Sequence, residues 1–414
     1  MSKKAIGTKI KKFDIFNPDG SDPVDFSTKT SGFKYFEDIL DPTIHWDFGI
    51  QDAFGEFNKV PVRSGNKVEI EIESNNEETI KFDDLKISNI IGYNPQAKRE
   101  VYGLIMETQS AFDNHTTRVF EKYKGKVSES VTKILKDKLN IEDADVDETS
   151  NNYDFCGGYR RPLLACSWLA KKSIGLSTKD DTKGSAGFLF FQTQDGYHFK
   201  NIDKLFEDAK NDKDSVIKYQ YKIDKNALKP DENYLTLLSQ PTTTTSHNLL
   251  VQLTQGHYKT ANWYYDIISK CPKFVEFTYK DSVDGDMKTS NPETLIPKGI
   301  DENYSRILLQ TVDTGCLSDK GEQNTTPSEQ YYYQAQSSTR YSSMMSQKLF
   351  TTVPLNLALR AGMVIFLDLP EINKTRLGGP TSGFYLISKL CHEFGGDSDK
   401  TGLELVRDSY KELK

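Results

Sequence analysis

The apolar periodicity changes twice between Tyr153 and Phe206, and this stretch constrains the fold more than any other. Pro162 suits the first turn of a helix, because the N–H it lacks would have no partner there, and Leu163, Cys166, Leu169 and Ala170 recur at helical spacing. Gly175 is placed to end that helix. Phe188 to Phe191 and Tyr197 to Phe199 then flank Asp195-Gly196, a pair that tolerates the positive φ of a tight hairpin turn. Gln192 to Gln194 leave the register open. Ile202, Leu205, Phe206 and Ala209 continue on one helical face. The order is helix, hairpin, helix: a small α+β core unit with no chemistry of its own.

Short strands lie on both sides of this unit. Ile44 to Ile50 is one, and Val68 to Glu73 alternates strictly, putting Val68, Ile70 and Ile72 on one face and three carboxylates on the other. Leu85 to Tyr93 and Val101 to Met106 follow, separated by the turn-forming Asn94-Pro95. Strands at this spacing predict an antiparallel barrel or sandwich. Ser128 is placed to cap a helix lined by Val131, Ile134, Leu135 and Leu139, with Glu129 at the positive end of its dipole. Beyond it, Val216 to Ile223, Tyr234 to Leu238, Leu249 to Leu253 and Phe274 to Tyr279 read as strands, with Thr242 to Thr245 as a polar link. Asp281 to Gly299 and Leu317 to Ser328 read as long polar loops. Met363 to Leu369, Gly383 to Phe394 and Leu403 to Asp408 are strands enough to complete another barrel. Residues 1–34, rich in Lys, Asp, Ser and Gly, read as an arm that orders only against a neighbour. The 414 residues exceed one ordinary core, and 23 Phe with 21 Tyr favour strands over long helices. The fold class expected is α+β, mostly β.

The signatures of common chemistry are missing. Asp143, Asp145, Asp147 and Asp154 sit at calcium-loop spacings, but Glu148 occupies the position where the turn needs glycine, so a solvated acidic turn is expected. His45, His115, His198, His247, His257 and His392 form no metal-spaced pair, and Cys156, Cys166, Cys271, Cys316 and Cys391 form no Cys-x-x-Cys. The cysteines suit synthesis in a reducing cytosol. There is no nucleophile elbow, phosphate loop or dinucleotide fingerprint. A glycosidase acid pair would leave no local mark, so a hydrolase stays open. Tyr331 to Tyr333 and Trp263-Tyr264-Tyr265 are aromatic clusters without interleaved basic residues, which suits packing or an interface better than sugar or base binding. The net charge of −7 argues against a nucleic-acid binder. Lys3, Lys4, Lys9, Lys11 and Lys12 precede no apolar segment, so no secretory signal is expected, and no apolar run approaches the roughly 20 residues that span a bilayer.

With these residues laid out, the chain resembles the central baseplate hub proteins of T-even-like contractile-tailed phages, of the marine and cyanobacterial type. The resemblance rests on YFEDIL, the turn Asp52-Ala-Phe-Gly55 and VPVRSGNKVEIEI; on KVSESVTKILKDKL, RRPLLACSWLAKKSI and AGFLFFQTQDGYHFKNIDKL; and on TTVPLNLALRAGMVIFLDLP, SGFYLISKLCHEF and LELVRDSYKEL. It implies two tube-like antiparallel β-barrels with an α/β helix-hairpin-helix domain between them. The expected organisation is an arm over 1–34, a first tube-like barrel over 35–112 and an α+β hub domain over 113–212. A second barrel would begin over 213–285, be interrupted by insertion loops over 286–339 and finish over 340–414. The resemblance further implies a homotrimer in the virion tail baseplate, assembled in the host cytoplasm and adapting a sixfold tail tube to a threefold spike. Its implied partners are the central spike protein, tail tube or tube-initiator proteins and neighbouring baseplate wedge proteins, with DNA passing through the channel unbound and no membrane involved. It implies no catalytic residue, no metal and no cofactor. The competing expectations are a cell-wall or polysaccharide hydrolase and a receptor-binding β protein.

Overall fold

A computed structural model describes residues 8–410 apart from 54, 56, 58–60, 75–77, 97, 178–182, 222–234, 267–269, 286, 293–295, 313–326, 371–380 and 396–398. The chain begins with a β module of Thr8–Ile15 (β1), Val24–Asp25 (β2), Thr30–Asp38 (β3), His45–Asp52 (β4), Lys67–Ser74 (β5), Thr79–Gln96 (β6) and Arg99–Thr108 (β7). A helical unit follows: Gln109–Thr116 (α1), Lys122–Tyr123 (β8), Val127–Leu139 (α2), Asp145–Val146 (β9), Phe155–Cys156 (β10), Pro162–Ala170 (α3), Ile174–Leu176 (β11), Lys183–Ala186 (β12), Phe188–Thr193 (β13), Gly196–Asn201 (β14) and Ile202–Asn211 (α4). The second β module opens with Lys218–Gln220 (β15) and Thr242–Ser246 (β16). It is interrupted by Leu249–Gln255 (α5), Lys259–Asp266 (β17), Pro272–Thr278 (β18), Tyr279–Asp284 (α6), Arg306–Val312 (β19) and Pro327–Met344 (α7). It resumes with Gln347–Pro354 (β20), Val364–Asp368 (β21), Gly383–Phe394 (β22) and Lys400–Arg407 (β23).

The two modules are halves of one 13-stranded sheet, in the order β16-β20-β23-β22-β3-β4-β7-β6-β5-β1-β2, with β21 on β22 and β15 on β21. Strand β22 serves both halves. Residues near its start pair antiparallel with β21, and Lys389 to Phe394 pair antiparallel with Asp38 to Phe33 of β3. Cross-strand pairs reinforce that seam: Phe33 stacks on Phe394 at 4.2 Å, and Lys389 meets Asp38 at 2.9 Å. The first half curls, so that Phe13 of β1 lies 4.6 Å from Phe48 of β4, several strands away in the sheet. Trp46, Tyr35, Phe48 and Phe13 fill the interior of the curl without solvent exposure.

The fold is α+β and mostly β, as the strand pattern indicates. The strand ladders do not close into two rings among the described residues. In the second half, β15 and β20 are linked through Thr236–Ser239 by single bonds, the Leu237 N–H to Gln220 O at 3.0 Å and the Leu238 N–H to Thr352 O at 2.8 Å.

Within residues 1–34, expected as an arm, β1, β2 and the start of β3 belong to the sheet. Strand β1 pairs along β5, and Phe13 and Ile15 are fully buried. The insertion is also more structured and wider than expected. Leu249–Gln255 is a helix, with Asn248 accepting from the Val251 N–H and Gly256 in the left-handed region at its end. Strands β17 and β18 form their own three-stranded sheet with β19, ordered β18-β17-β19, rather than joining the second module. Part of the 286–339 span expected as loops holds β19 and most of α7. The portions of the Val216–Ile223, Tyr234–Leu238 and Leu317–Ser328 readings on 222–234 and 317–326 lie outside the described residues.

In the helical unit, Val131, Ile134, Leu135, Leu139, Leu163, Cys166 and Leu169 are all buried. The α2 cap is Lys126 rather than Ser128, whose backbone N–H instead donates to the Thr149 hydroxyl. Gly175 does not end α3. It lies in β11, where a Cβ would collide with the Asn201 amide. Every residue of β13 is buried because both its faces are covered. Phe188 and Phe190 pack into the helical core, while Leu189 and Phe191 pack against Leu386 and Val406 of the second module. The hairpin register pairs Thr193 with Gly196, so the turn falls on Gln194-Asp195, one residue earlier than expected, and Gly196 takes φ +120°. No helix among the described residues is long and apolar enough to cross a membrane.

Candidate docking surface

Of the four aspartates at calcium-loop spacing, Asp145, Asp147 and Asp154 are engaged within the chain, and Cys316 lies outside the described residues. Asp145 of β9 and Asp147 just after it face lysines: Lys200 Nζ lies 2.5 Å from Asp145 and 3.3 Å from Asp147, and Lys204 Nζ lies 2.8 Å from Asp147. Asp154 accepts the Gly125 N–H at 3.1 Å. Asp145 and Asp147 are thus met by lysines, and Asp154 by a backbone N–H, within the chain. Among the described residues no group of three or more His, Cys, Asp or Glu side chains converges as metal ligands would.

One arrangement has the order of a hydrolytic triad. Thr193 Oγ1 lies 2.8 Å from His198 Nε2, and His198 Nδ1 lies 3.5 Å from Asp145 Oδ2. Its hydroxyl is not positioned as a nucleophile, because Thr193 is 1% exposed and Oγ1 also accepts the Asp195 N–H at 3.1 Å. This triad locks the hairpin turn.

The turn in turn plugs a junction of three parts of the chain. Glu37, at the end of β3 and 2% exposed, accepts from the Tyr35 hydroxyl at 2.7 Å, the Gln194 N–H at 2.9 Å and the Ala361 N–H at 2.7 Å. One carboxylate thus ties the first module, the hairpin and the second module together. Arg360 adds a two-pronged contact to Asp195 at 2.7 and 3.2 Å. Gly362 takes φ +85° against the Phe191 ring, where a Cβ would overlap it. Burial pushes the Glu37 carboxyl up to about 7, against the opposing pull of its three donors. A carboxyl raised on folding contributes stability that is full below its unfolded value of 4.5 and is lost as pH rises through 7. The difference in unfolding free energy between wild type and Glu37→Gln is therefore expected to move in the variant's favour between pH 4.5 and 8, by up to about 3 kcal/mol. Urea unfolding of both proteins across that range measures it, and parallel pH profiles would refute it.

The aromatic clusters divide between packing and surface. Tyr264 stacks on Tyr331 of α7 at 4.5 Å, both buried, which fixes the insertion sheet against the helix. Trp263 and Tyr265 point the other way and are exposed. Beside them on neighbouring strands stand Phe274 and Leu309, both paired with Trp263, and Ile307. Sequence reading placed β19 within loops and so missed Ile307 and Leu309. The signal was present in Ile307-Leu308-Leu309 followed by Thr311-Val312, an apolar and β-branched run of strand length. A second projecting feature is the far end of the β6–β7 hairpin, where residues 91–96 are all exposed and Tyr93 packs on Phe57 at 4.8 Å. The candidate site is thus the exposed apolar face of the insertion sheet, with the end of the β6–β7 hairpin as a second projecting surface.

No family model matches the chain, and no curated relative does. Solved structures do match over nearly its whole length. A tail protein from Neisseria meningitidis MC58 superposes with a TM-score of 0.58 at 10% identity, covering 98% of this chain and 96% of its own. The 43 kDa tail protein of prophage MuSo2 from Shewanella oneidensis gives 0.54 at 10% identity, covering 99% and 100%. A prophage tail protein from Listeria monocytogenes EGD-e gives 0.51 at 8% identity, covering 96% and 95%. The chain shares the fold of these tail proteins, two of which come from prophages.

Proposed function

We propose that the chain is the structural hub of a contractile phage-tail baseplate, of the T-even-like type. In this reading it is a homotrimer that joins a sixfold tail tube to a threefold central spike and encloses the channel for DNA ejection. The observation that carries the reading is the pair of β modules fused edge to edge in one sheet, in a chain whose fold follows phage tail proteins from end to end. Two modules in each of three chains offer six positions to a sixfold tube, while the chains themselves keep the symmetry of a spike. The spike protein, tube or tube-initiator proteins and adjacent wedge proteins are its partners in the virion. The net charge of −7 suits a channel through which DNA passes without being held. Binding geometry, with no bond-breaking chemistry, is its work.

The test is the molar mass of the purified chain, alone and with a candidate spike protein, by light scattering. A mass near three times 47.1 kDa, and a larger complex with the spike, are expected. A monomer in both conditions overturns the reading.

A further inference from the structure

Six of the 17 large apolar side chains exposed among the described residues stand on one face of the insertion sheet: Trp263, Tyr265, Phe274, Tyr304, Ile307 and Leu309. The register makes them contiguous. Trp263 on the central strand faces Phe274 on one side and Leu309 on the other, and Tyr304 sets its ring edge-on to Phe274 at 6.2 Å. Leu309 is 81% exposed and Ile307 66%. With roughly 150–250 Å² for each fully exposed aromatic ring and somewhat less for Leu and Ile, the face shows about 600 Å² of apolar surface to water. That is the upper end of what a monomer leaves open, and it approaches the roughly 800 Å² that each partner contributes to a standard stable interface.

The chemistry of the face selects its occupant. The charges nearest it cancel within the chain, since Lys259 meets Glu276 at 3.0 Å and the Tyr304 hydroxyl donates to Glu276 at 2.7 Å. Among the described residues, the pairing of Lys259 with Glu276 leaves little net charge at this face for a nucleic acid or a charged peptide to meet. Depletion of charge with enrichment in Trp, Tyr and Phe is the composition of an interface core between permanent subunits. The face is also preformed, because its reverse side is pinned by Tyr264 on Tyr331. Among the described residues β19 is also an apolar edge strand of this sheet, of the kind that associates without control when left open.

We propose that a second copy of this chain covers this face, making the insertion sheet a subunit-to-subunit contact of the assembled protein. The proposal rests on the trimer reading above and names the surface that holds it together. In a threefold ring the contact is head to tail, so each chain's insertion sheet packs on a different surface of its neighbour.

Light scattering on the full-length chain at several concentrations tests it, comparing wild type with Ile307→Asp/Leu309→Asp. Both side chains are mostly solvated, so the variant is expected to keep its circular dichroism and melting temperature. Its dissociation concentration is expected to rise about a hundredfold or more. If the double variant does not fold, the single change Leu309→Lys carries the same comparison. A wild-type trimer matched by an equally stable variant trimer refutes the proposal and leaves the hub reading intact. A wild-type monomer that trimerises only on the spike, with the variant losing spike binding, assigns the face to the spike and also refutes it. A wild-type monomer that ignores the spike refutes the hub reading itself.

Discussion

Arg340→Leu is expected to cost about 3–5 kcal/mol of folding free energy, a large share of the stability of an ordinary domain. Arg340 is fully buried on α7, with Nε 2.7 Å from Asp203 of the helical unit and Nη1 2.6 Å from Asp408 just after β23. Its Nη2 donates to the Lys288 carbonyl at 3.1 Å. The carboxylates are otherwise satisfied from within the chain: Asp408 accepts from the Ser290 N–H at 2.7 Å and the Ser409 hydroxyl at 2.8 Å, and Asp203 from the Lys288 N–H at 2.7 Å and the Ser185 hydroxyl. Burial raises the Asp203 carboxyl above its usual range, while for Asp408 the Arg340 charge and the serine donors overcome burial and hold it below. Taking away the guanidinium strands two acids in a dry interior, which is costlier than never having built the pair. Arg340→Lys is expected to lose less, since an ammonium keeps the charge but cannot reach both acids with the fixed fork. Denaturant unfolding of the three proteins measures this, and a leucine variant within 1 kcal/mol of wild type, on the order of a surface change, would contradict it.

Deleting residues 1–16 is expected to destabilise the first module by roughly 4–6 kcal/mol, counting two fully buried large side chains and the ladder they sit in. Phe13 and Ile15 are lost from the core, and β5 loses its neighbour from Ser74 to Val68. Val68, Ile70 and Ile72, now buried, would then flank a bare edge. Phe13→Ala alone is expected to remove about 3–5 kcal/mol. An arm that ordered only against another protein would leave the unfolding midpoint of the isolated chain unchanged when deleted, so the denaturation curve of the truncated chain separates the two descriptions.

The reason β1 reads as an arm is visible in its register. Ile10 pairs with Ile72 and Phe13 with Ile70, but a shift between Ile10 and Lys12 inserts one extra residue. That bulge puts Ile10 and Phe13 at odd spacing and erases the alternation a strand normally shows. The helix-hairpin-helix unit is legible because its apolar residues keep their period, one set meeting the helical core and the other the second module. Helix α7 hid for the opposite reason: it is buried through Gln336, Ser337, Thr339, Arg340 and Ser343, polar side chains that no hydrophobic pattern can register. Gln336, for example, accepts the Ala186 N–H and donates to the Ser282 hydroxyl. Helix α5 reads as a strand because Leu249 to Leu253 is short and apolar, although Asn248 and Gly256 bracket it as helix caps do. Of the candidate surface, the Trp263 and Tyr265 stripe was readable as a possible interface; its breadth depends on which strands lie beside it, and that is a property of the tertiary fold.

The seam between β3 and β22 sets a timetable for biosynthesis. Phe33 cannot meet Phe394 until nearly the whole polypeptide has been made, since their pairing spans most of the chain. At about 5–20 residues per second, the interval between emergence of the two strands is on the order of 20–70 seconds. Throughout it the nascent N-terminal half presents an unpaired row of backbone groups on β3, capable of capturing the same strand from a neighbouring ribosome's product. Yield in a cell should accordingly depend on how crowded the polysomes are, and slower initiation should favour soluble protein over aggregates.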